Sequence, residues 1–167
     1  MPAEPVLARP QYEQKICPPA ALAERLGAIA RPIVFTNGVF DLLHRGHVTY
    51  LAQARELGAS LILALNTDDS VRRLNKGPER PLNQLADRAG VVAALASTSL
   101  VTWFDTDTPA DLIELVQPDV LVKGGDWPVE QIVGAASVQA RGGQVFSIPF
   151  EHQRSTTNLV EKIRAQT

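Results

Sequence analysis

Two histidines three residues apart, His44 and His47, with Gly46 between them and Asp41 just ahead, are the densest group of reactive side chains in the sequence. Imidazoles at i and i+3 near the first turn of a helix project to one side. Two of them can donate hydrogen bonds to phosphate oxygens, and a glycine beside them lets a ligand approach the backbone. The stretch Thr36 to His47 lies between an apolar run, Pro32-Ile33-Val34-Phe35, and a helical pattern starting at Val48, so it reads as a strand-to-helix turn. Such turns present free N–H groups where ligands bind in open α/β sheets, which points to an anionic, phosphorylated ligand. Competing readings stand beside this one. The histidines can serve as a helix cap or surface pair, Asn37-Gly38 is an ordinary turn signal, Asp41 can be a solvated Asx-turn former and Phe40 a core residue. Zinc fits less well, because His-x-x-His lacks the i, i+4 spacing of the helical zinc motif and the one other histidine is His152.

The elements that must position this turn follow from hydrophobic spacing. Residues 1–16 have no sustained periodicity and read as a loose arm, and Ala20 to Ile29 as a short helix, giving an arm-and-helix segment 1–30 ahead of a main domain 31–167. Tyr50, Leu51, Ala54 and Leu57 form a helical stripe that Gly58 should end as a C-cap. Leu61 to Leu65 is a nearly unbroken apolar run, as in a strand covered on both faces, and it ends at Asn66-Thr67-Asp68-Asp69. Residues 72–83 read as a basic loop containing Lys76 and Arg80. A helix from Gln84 to Leu95 should carry Arg88 on its polar side. Leu100 to Phe104 is the third strand, and Thr108-Pro109 starts a helix that Pro118 closes, with Thr108 as hydroxyl N-cap. Val120 to Val122 is the fourth strand, leading into Lys123-Gly124-Gly125-Asp126-Trp127. A weaker helix covers 129–140, Val145 to Ile148 is the fifth strand, and a last helix opens near Ser155-Thr156-Thr157. This alternation specifies a Rossmann-like, doubly wound α/β fold in a single domain, with a mostly parallel sheet of about five strands. In that fold the strand ends share one edge, so Thr36–His47, Asn66–Asp69, Lys123–Trp127 and Ser155–Thr157 become neighbours.

The chain has 167 residues, 45% hydrophobic and 20% charged, enough for one domain with a real core. A net charge of −2 gives no footprint for a nucleic-acid polymer, so phosphates must be recognised locally. No apolar run approaches the ~20 residues of a membrane span, and the N-terminus lacks the features of a secretory signal. The single cysteine, Cys17, reads as an incidental thiol with no internal disulfide partner. The expected location is the cytoplasm.

Asn37-Gly-Val-Phe-Asp-Leu-Leu-His-Arg-Gly-His47 resembles the signature of the cytidylyltransferase-like nucleotidyltransferases, and Ser155-Thr156-Thr157 resembles their second signature, at the start of the C-terminal helix. The segments Asn66 to Asp69, Lys76 with Arg80-Pro81, Arg88 and Val122 to Trp127 are similar to the branch that adenylylates a heptose 1-phosphate, in its stand-alone form. Val39 departs from the family's usual threonine. The resemblance implies in-line attack of a sugar phosphate on the α-phosphorus of ATP, with Mg²⁺ and without a covalent intermediate, in the synthesis of ADP-heptose for lipopolysaccharide or another surface glycan.

It also implies roles for individual residues. His44 and His47 would meet the ATP phosphates, with Lys76 as the third catalytic group. Thr36, Asn37, Gly38, Phe40, Asp41, Gly46, Arg88, Lys123, Gly125, Asp126, Ser155, Thr156 and Thr157 would line the nucleotide. Asn66, Asp68, Lys76 and Trp127 would line the sugar phosphate. Asp41 would order the turn or help hold Mg²⁺. Each has a plainer reading: a solvated charge for Lys76, a helix-surface ion pair for Arg88, packing beside Pro128 for Trp127. The implied partners are small molecules, neither nucleic acid nor membrane, and family analogy suggests a homodimer. The alternatives are a cytidylyltransferase acting on glycerol 3-phosphate and a nucleotide-binding sensor without turnover.

Overall fold

The computed structural model describes residues 8–75, 77–151, 160–163 and 165. Five parallel strands, β1 (Ile33–Gly38), β2 (Ser60–Asn66), β3 (Leu100–Phe104), β4 (Val120–Gly124) and β5 (Gln144–Ile148), form one sheet in the order β3-β2-β1-β4-β5. The chain steps outward from β1 to β3, then returns to the other side of β1 to make β4. The order therefore reverses between β1 and β4, and the crevice at the carboxyl ends of those two strands is where open α/β sheets bind ligands.

Helices α1 (Leu22–Leu26), α2 (Arg45–Arg55), α3 (Asp68–Arg73), α4 (Leu85–Ala93), α5 (Ala110–Val116) and α6 (Ala135–Ala140) complete the fold. Side chains alternate across a strand, and here the alternation feeds two cores. Ile33, Phe35 and Ile62 pack with Leu22, Ile113 and Val138 on one face. Val34, Leu61 and Leu63 pack with Leu51 and Val92 on the other. All seven residues of β2 are buried, since it has strands at both edges and a core on each face.

Several local expectations are corrected. The loose arm is not what residues 8–16 form: Gln11–Lys15 is a 3-10 turn, Ile16 bridges Val101, and the Cys17 N–H bonds Val101 O at 2.8 Å, covering the outer edge of β3. Cys17 is buried, which pushes its thiol pKa up. Gly58 is not the cap of α2, which ends at Arg55 with Glu56 as its C-cap. A Cβ on Gly58 would stand 2.5 Å from Pro32 O, so the glycine serves a close passage of two backbones. Thr108 does not cap α5 either; Pro109 takes that position, and Gln117 ends the helix in the left-handed conformation at φ 46°. The helix expected over 129–140 divides into a 3-10 turn (Val129–Gln131) and α6. Between them Gly134 sits at φ 85°, where a Cβ would meet Ile113 at 2.8 Å. Among the described residues no helix is long and apolar enough to cross a membrane.

Candidate active site

The turn from β1 to α2 lies at the reversal of strand order, and much of it faces inward. Thr36 is fully buried, with Oγ1 2.5 Å from the Tyr50 hydroxyl of α2. That hydroxyl also reaches Val122 O of β4 at 3.4 Å, and burial raises its pKa. Thr36 therefore ties β1 to α2 and is not exposed to a ligand. Phe40 is also buried, at φ 49°, and its ring lies 5.1 Å from that of His47. The nearness of its ring requires a glycine at 38, where a Cβ would stand 2.7 Å from Phe40 Cε2. Phe40 supports His47 from below, and the core reading of this residue holds over base stacking.

Asp41 is corrected more sharply. Its side chain is 0% exposed and accepts from Leu82 N at 2.9 Å and Asn83 N at 2.8 Å, while Arg80 Nε pairs with it at 2.8 Å. A carboxylate so engaged is not available to Mg²⁺ or nucleotide. Of its two expected roles, the structure supports ordering: Asp41 fastens the loop after α3 to the histidine turn.

Arg88 is displaced from its expected place in the same way. It lies on the buried side of α4, 1% exposed, and its guanidinium donates to Asn83 O at 3.0 Å, Val39 O at 2.8 Å and Asp68 Oδ1 at 2.6 Å. The fork shape of guanidinium suits such a junction. One cation thus joins α4, the histidine turn and the start of α3, and it draws Asp68 into a protein ion pair. Arg88 is thereby committed within the protein, whereas Asp68 gives one carboxylate oxygen to the pair and keeps its side chain 26% exposed.

The histidine pair is half-buried on the turn, with the exposed Arg45 between its members. His44 is the N-cap residue of α2 but makes no side-chain capping hydrogen bond, so the capping reading fails. The rings of His44 and His47 stack with centroids 3.8 Å apart and planes at 25°, and Gly46 between them is buried in the first turn. The His47 pKa is lowered to about 4, first by burial and then by the neighbouring His44, with a hydrogen bond to the Leu42 backbone offsetting part of the fall. His47 is therefore neutral near pH 7, and a neutral imidazole carries one N–H donor and one acceptor nitrogen.

The second wall comes from the end of β4. Gly125 sits at φ 118°, and a Cβ there would stand 2.7 Å from Trp127 Nε1, which donates to Gly124 O at 3.2 Å. Trp127 N bonds Ser147 Oγ at 2.9 Å, which holds the half-exposed indole over the sheet edge. Asp126 is exposed beside it. Between this wall and the histidine turn opens a cavity of about 370 Å³ that Asn37, Gly38, Asn66, Lys123 and Trp127 all help to line. Asn66 is itself anchored by a bond from Nδ2 to Ser70 Oγ at 2.9 Å. Five expected site residues from three strand ends are thus brought to one opening. Lys76, Ser155, Thr156 and Thr157 lie outside the described residues.

Sequence reasoning missed some neighbours. Phe150 meets the His47 ring edge-on at 6.0 Å and the Tyr50 ring at 5.6 Å, and a Cβ on Gly124 would clash with it at 2.8 Å. Glu151 accepts from Gln53 of α2. These contacts bring the chain past β5 back toward the histidines. Their one legible signal was an aromatic residue just before the Ser-Thr motif.

Comparison with known proteins agrees with this geometry. A model of the cytidylyltransferase-like family matches residues 35–162. The chain is 54% identical over 156 residues to the D-beta-D-heptose 1-phosphate adenylyltransferase of Bordetella bronchiseptica, covering 92% of this chain and 96% of that one. It is 55% identical over 142 residues to the bifunctional protein HldE of Magnetococcus marinus, matching 85% of this chain but only 29% of that longer protein. In fold it resembles a lipopolysaccharide core biosynthesis protein from Thermoplasma volcanium, with TM-score 0.59 and 22% identity over 73% of this chain and 98% of that one. A pantoate-beta-alanine ligase from Francisella tularensis shares the fold more distantly, at TM-score 0.55 and 13% identity over 84% of this chain and 68% of the ligase. With its signature turn at the sheet's reversal point and the family match spanning most of its length, the chain belongs to the cytidylyltransferase-like family.

Proposed function

We propose that the protein is an adenylyltransferase that transfers AMP from ATP to a heptose 1-phosphate, giving ADP-heptose and pyrophosphate. The observation that carries this reading is the likeness to the Bordetella heptose 1-phosphate adenylyltransferase, which extends over nearly the full length of both chains. A phosphate oxygen of the sugar forms a bond to the α-phosphorus, and the bond from that phosphorus to the leaving pyrophosphate breaks in line. Catalysis of this kind rests on positioning and on stabilising the charge that gathers at one phosphorus.

His47, with His44 stacked on it, would donate to the α-phosphate region of ATP. Lys123 and the Asn37-Gly38 backbone would stand between nucleotide and sugar phosphate. Ser155, Thr156 and Thr157 would bind the outer phosphates, and Lys76 the reacting phosphate groups. Gly125 and Asp126 would face the nucleoside. Asp41 and Arg88 would act by holding the turn in place. Mg²⁺ would arrive with the triphosphate, held by phosphate and water. Among the described residues no three His, Cys, Asp or Glu side chains cluster closely enough to make a metal site of their own. The setting would be the cytoplasm, where ATP is available, and dimerisation is open to light scattering.

Pyrophosphate release tests the reading. ATP with heptose 1-phosphate and Mg²⁺ should give product, and omission of any one should give none. Preference for CTP with glycerol 3-phosphate would overturn it, as would tight ATP binding without turnover on any sugar phosphate.

A further inference from the structure

The cavity is bounded on its far side by residues that no signature motif contains: Asp107 and Thr108, between β3 and α5, and Gln131 and Ile132, between β4 and α6. His44 and His47 do not line it. The cavity is therefore distinct from the histidine pair, although Asn37 and Gly38, at the start of the same turn, line it. At about 370 Å³ the cavity is near the lower end of the ~300–1,000 Å³ that enclose small ligands. That space suits one phosphorylated monosaccharide, not a nucleoside triphosphate with it.

Resting on the function proposed above, we infer that this far wall reads the hydroxyl groups of the acceptor sugar, with Asp107 and Gln131 as specificity-determining residues and Arg73 as the positioning residue for Asp107. Its chemistry is that of a polyol site. A carboxylate accepts from sugar hydroxyls, a primary amide both donates and accepts, and Ile132 with Pro109 offers an apolar bed for the C–H face of a ring. Asp107 is an exposed loop residue, yet its placement is set: Arg73 Nε donates to Asp107 Oδ1 at 2.9 Å, and the same guanidinium bonds Asp105 O. Thr67, the N-cap of α3, donates to Asp105 and accepts from Ser70 N at 3.1 Å. The helix after β2 and the loop after β3 are thereby joined over the cavity. A three-carbon acceptor anchored by its phosphate near Lys123 would leave this wall unused, whereas a seven-carbon sugar extends toward it.

The test is steady-state kinetics of wild type, Asp107→Ala, Gln131→Ala, Arg73→Ala and the Arg73→Ala/Asp107→Ala double variant, varying heptose 1-phosphate and ATP separately. Losing a hydrogen bond to the charged Asp107 should raise KM for the sugar phosphate about tenfold or more, and losing one to the neutral Gln131 amide about two- to tenfold, with KM for ATP unchanged. The double variant should be no worse than Asp107→Ala alone, because Arg73 acts through Asp107. Thermal melting of each variant separates lost fold from lost recognition. Wild type active but variants with unaltered sugar KM would overturn this inference and leave the proposed function standing. A rise in KM for ATP equal to that for the sugar would do the same. Wild type inactive on heptose 1-phosphate would sink both.

Discussion

The histidine turn and the far wall of the cavity are built on opposite plans. In the turn, Thr36, Phe40 and Asp41 are buried and engaged with neighbouring elements, while the stacked imidazoles stay half-exposed. On the far wall Asp107, Thr108 and Gln131 are exposed, and Asp107 is held by a surface ion pair. Surface pairs of this kind contribute ~0–1 kcal/mol, whereas breaking a buried pair costs ~3–5 kcal/mol. A signature motif can thus be mostly scaffold, and a site's selectivity can sit on residues of low structural cost. That division lets one fold keep its nucleotide chemistry while the acceptor changes.

Removing the buried anchor should give the largest effect. Asp41→Ala leaves Arg80 without its partner and two N–H groups without acceptors, so urea denaturation should show a loss of about 3–5 kcal/mol. A loss under about 1 kcal/mol would mean that the turn is not held as described. His47→Ala comes next, with the contrast reversed: little change in melting temperature, but a fall in kcat of ~10²–10³ if it contacts the transition state. A variant that keeps most of its rate removes His47 from the chemistry.

The smallest effect is in pH dependence, and its sign follows from the depressed His47 pKa. Between about 4 and the unfolded value of 6.5, the unfolded chain binds more protons than the folded one, so stability rises with pH through that window and is lost as pH falls through it. The contribution is on the order of 1–3 kcal/mol. Denaturation at pH 7.5 and pH 5 should show it in wild type and show it reduced in His47→Gln. Equal slopes in the two proteins would assign the acid sensitivity to other groups.

Legibility tracked the range of the interactions involved. The five strands were readable because each is an apolar run bounded by turn residues, a local property. Arg88 was misplaced because its position on α4 gives no sign of Asp68 and Val39, which meet it only after the strands pair. Gly58 was misread for a related reason: a C-cap and a close approach to Pro32 both call for glycine, and the sequence does not distinguish them. The 3-10 turn at Gln11–Lys15 escaped a periodicity argument because it is short and is held from outside, by Lys15 Nζ donating to Leu95 O past the end of α4 at 3.0 Å and by the Ile16 bridge to β3 that follows it.

By itself, the sequence determined the alternation of strands and helices, the turn that carries His44 and His47, and the resemblance to a nucleotidyltransferase signature, since all three are written in spacing along the chain. Only the tertiary structure decided that Thr36, Asp41 and Arg88 look inward. It alone placed Asp107 and Gln131 across a cavity from Asn37. The physical reason is that burial and cavity shape come from contacts between residues far apart in sequence. The Asp41 pairs span about forty residues, and the far wall joins loops that no local pattern relates.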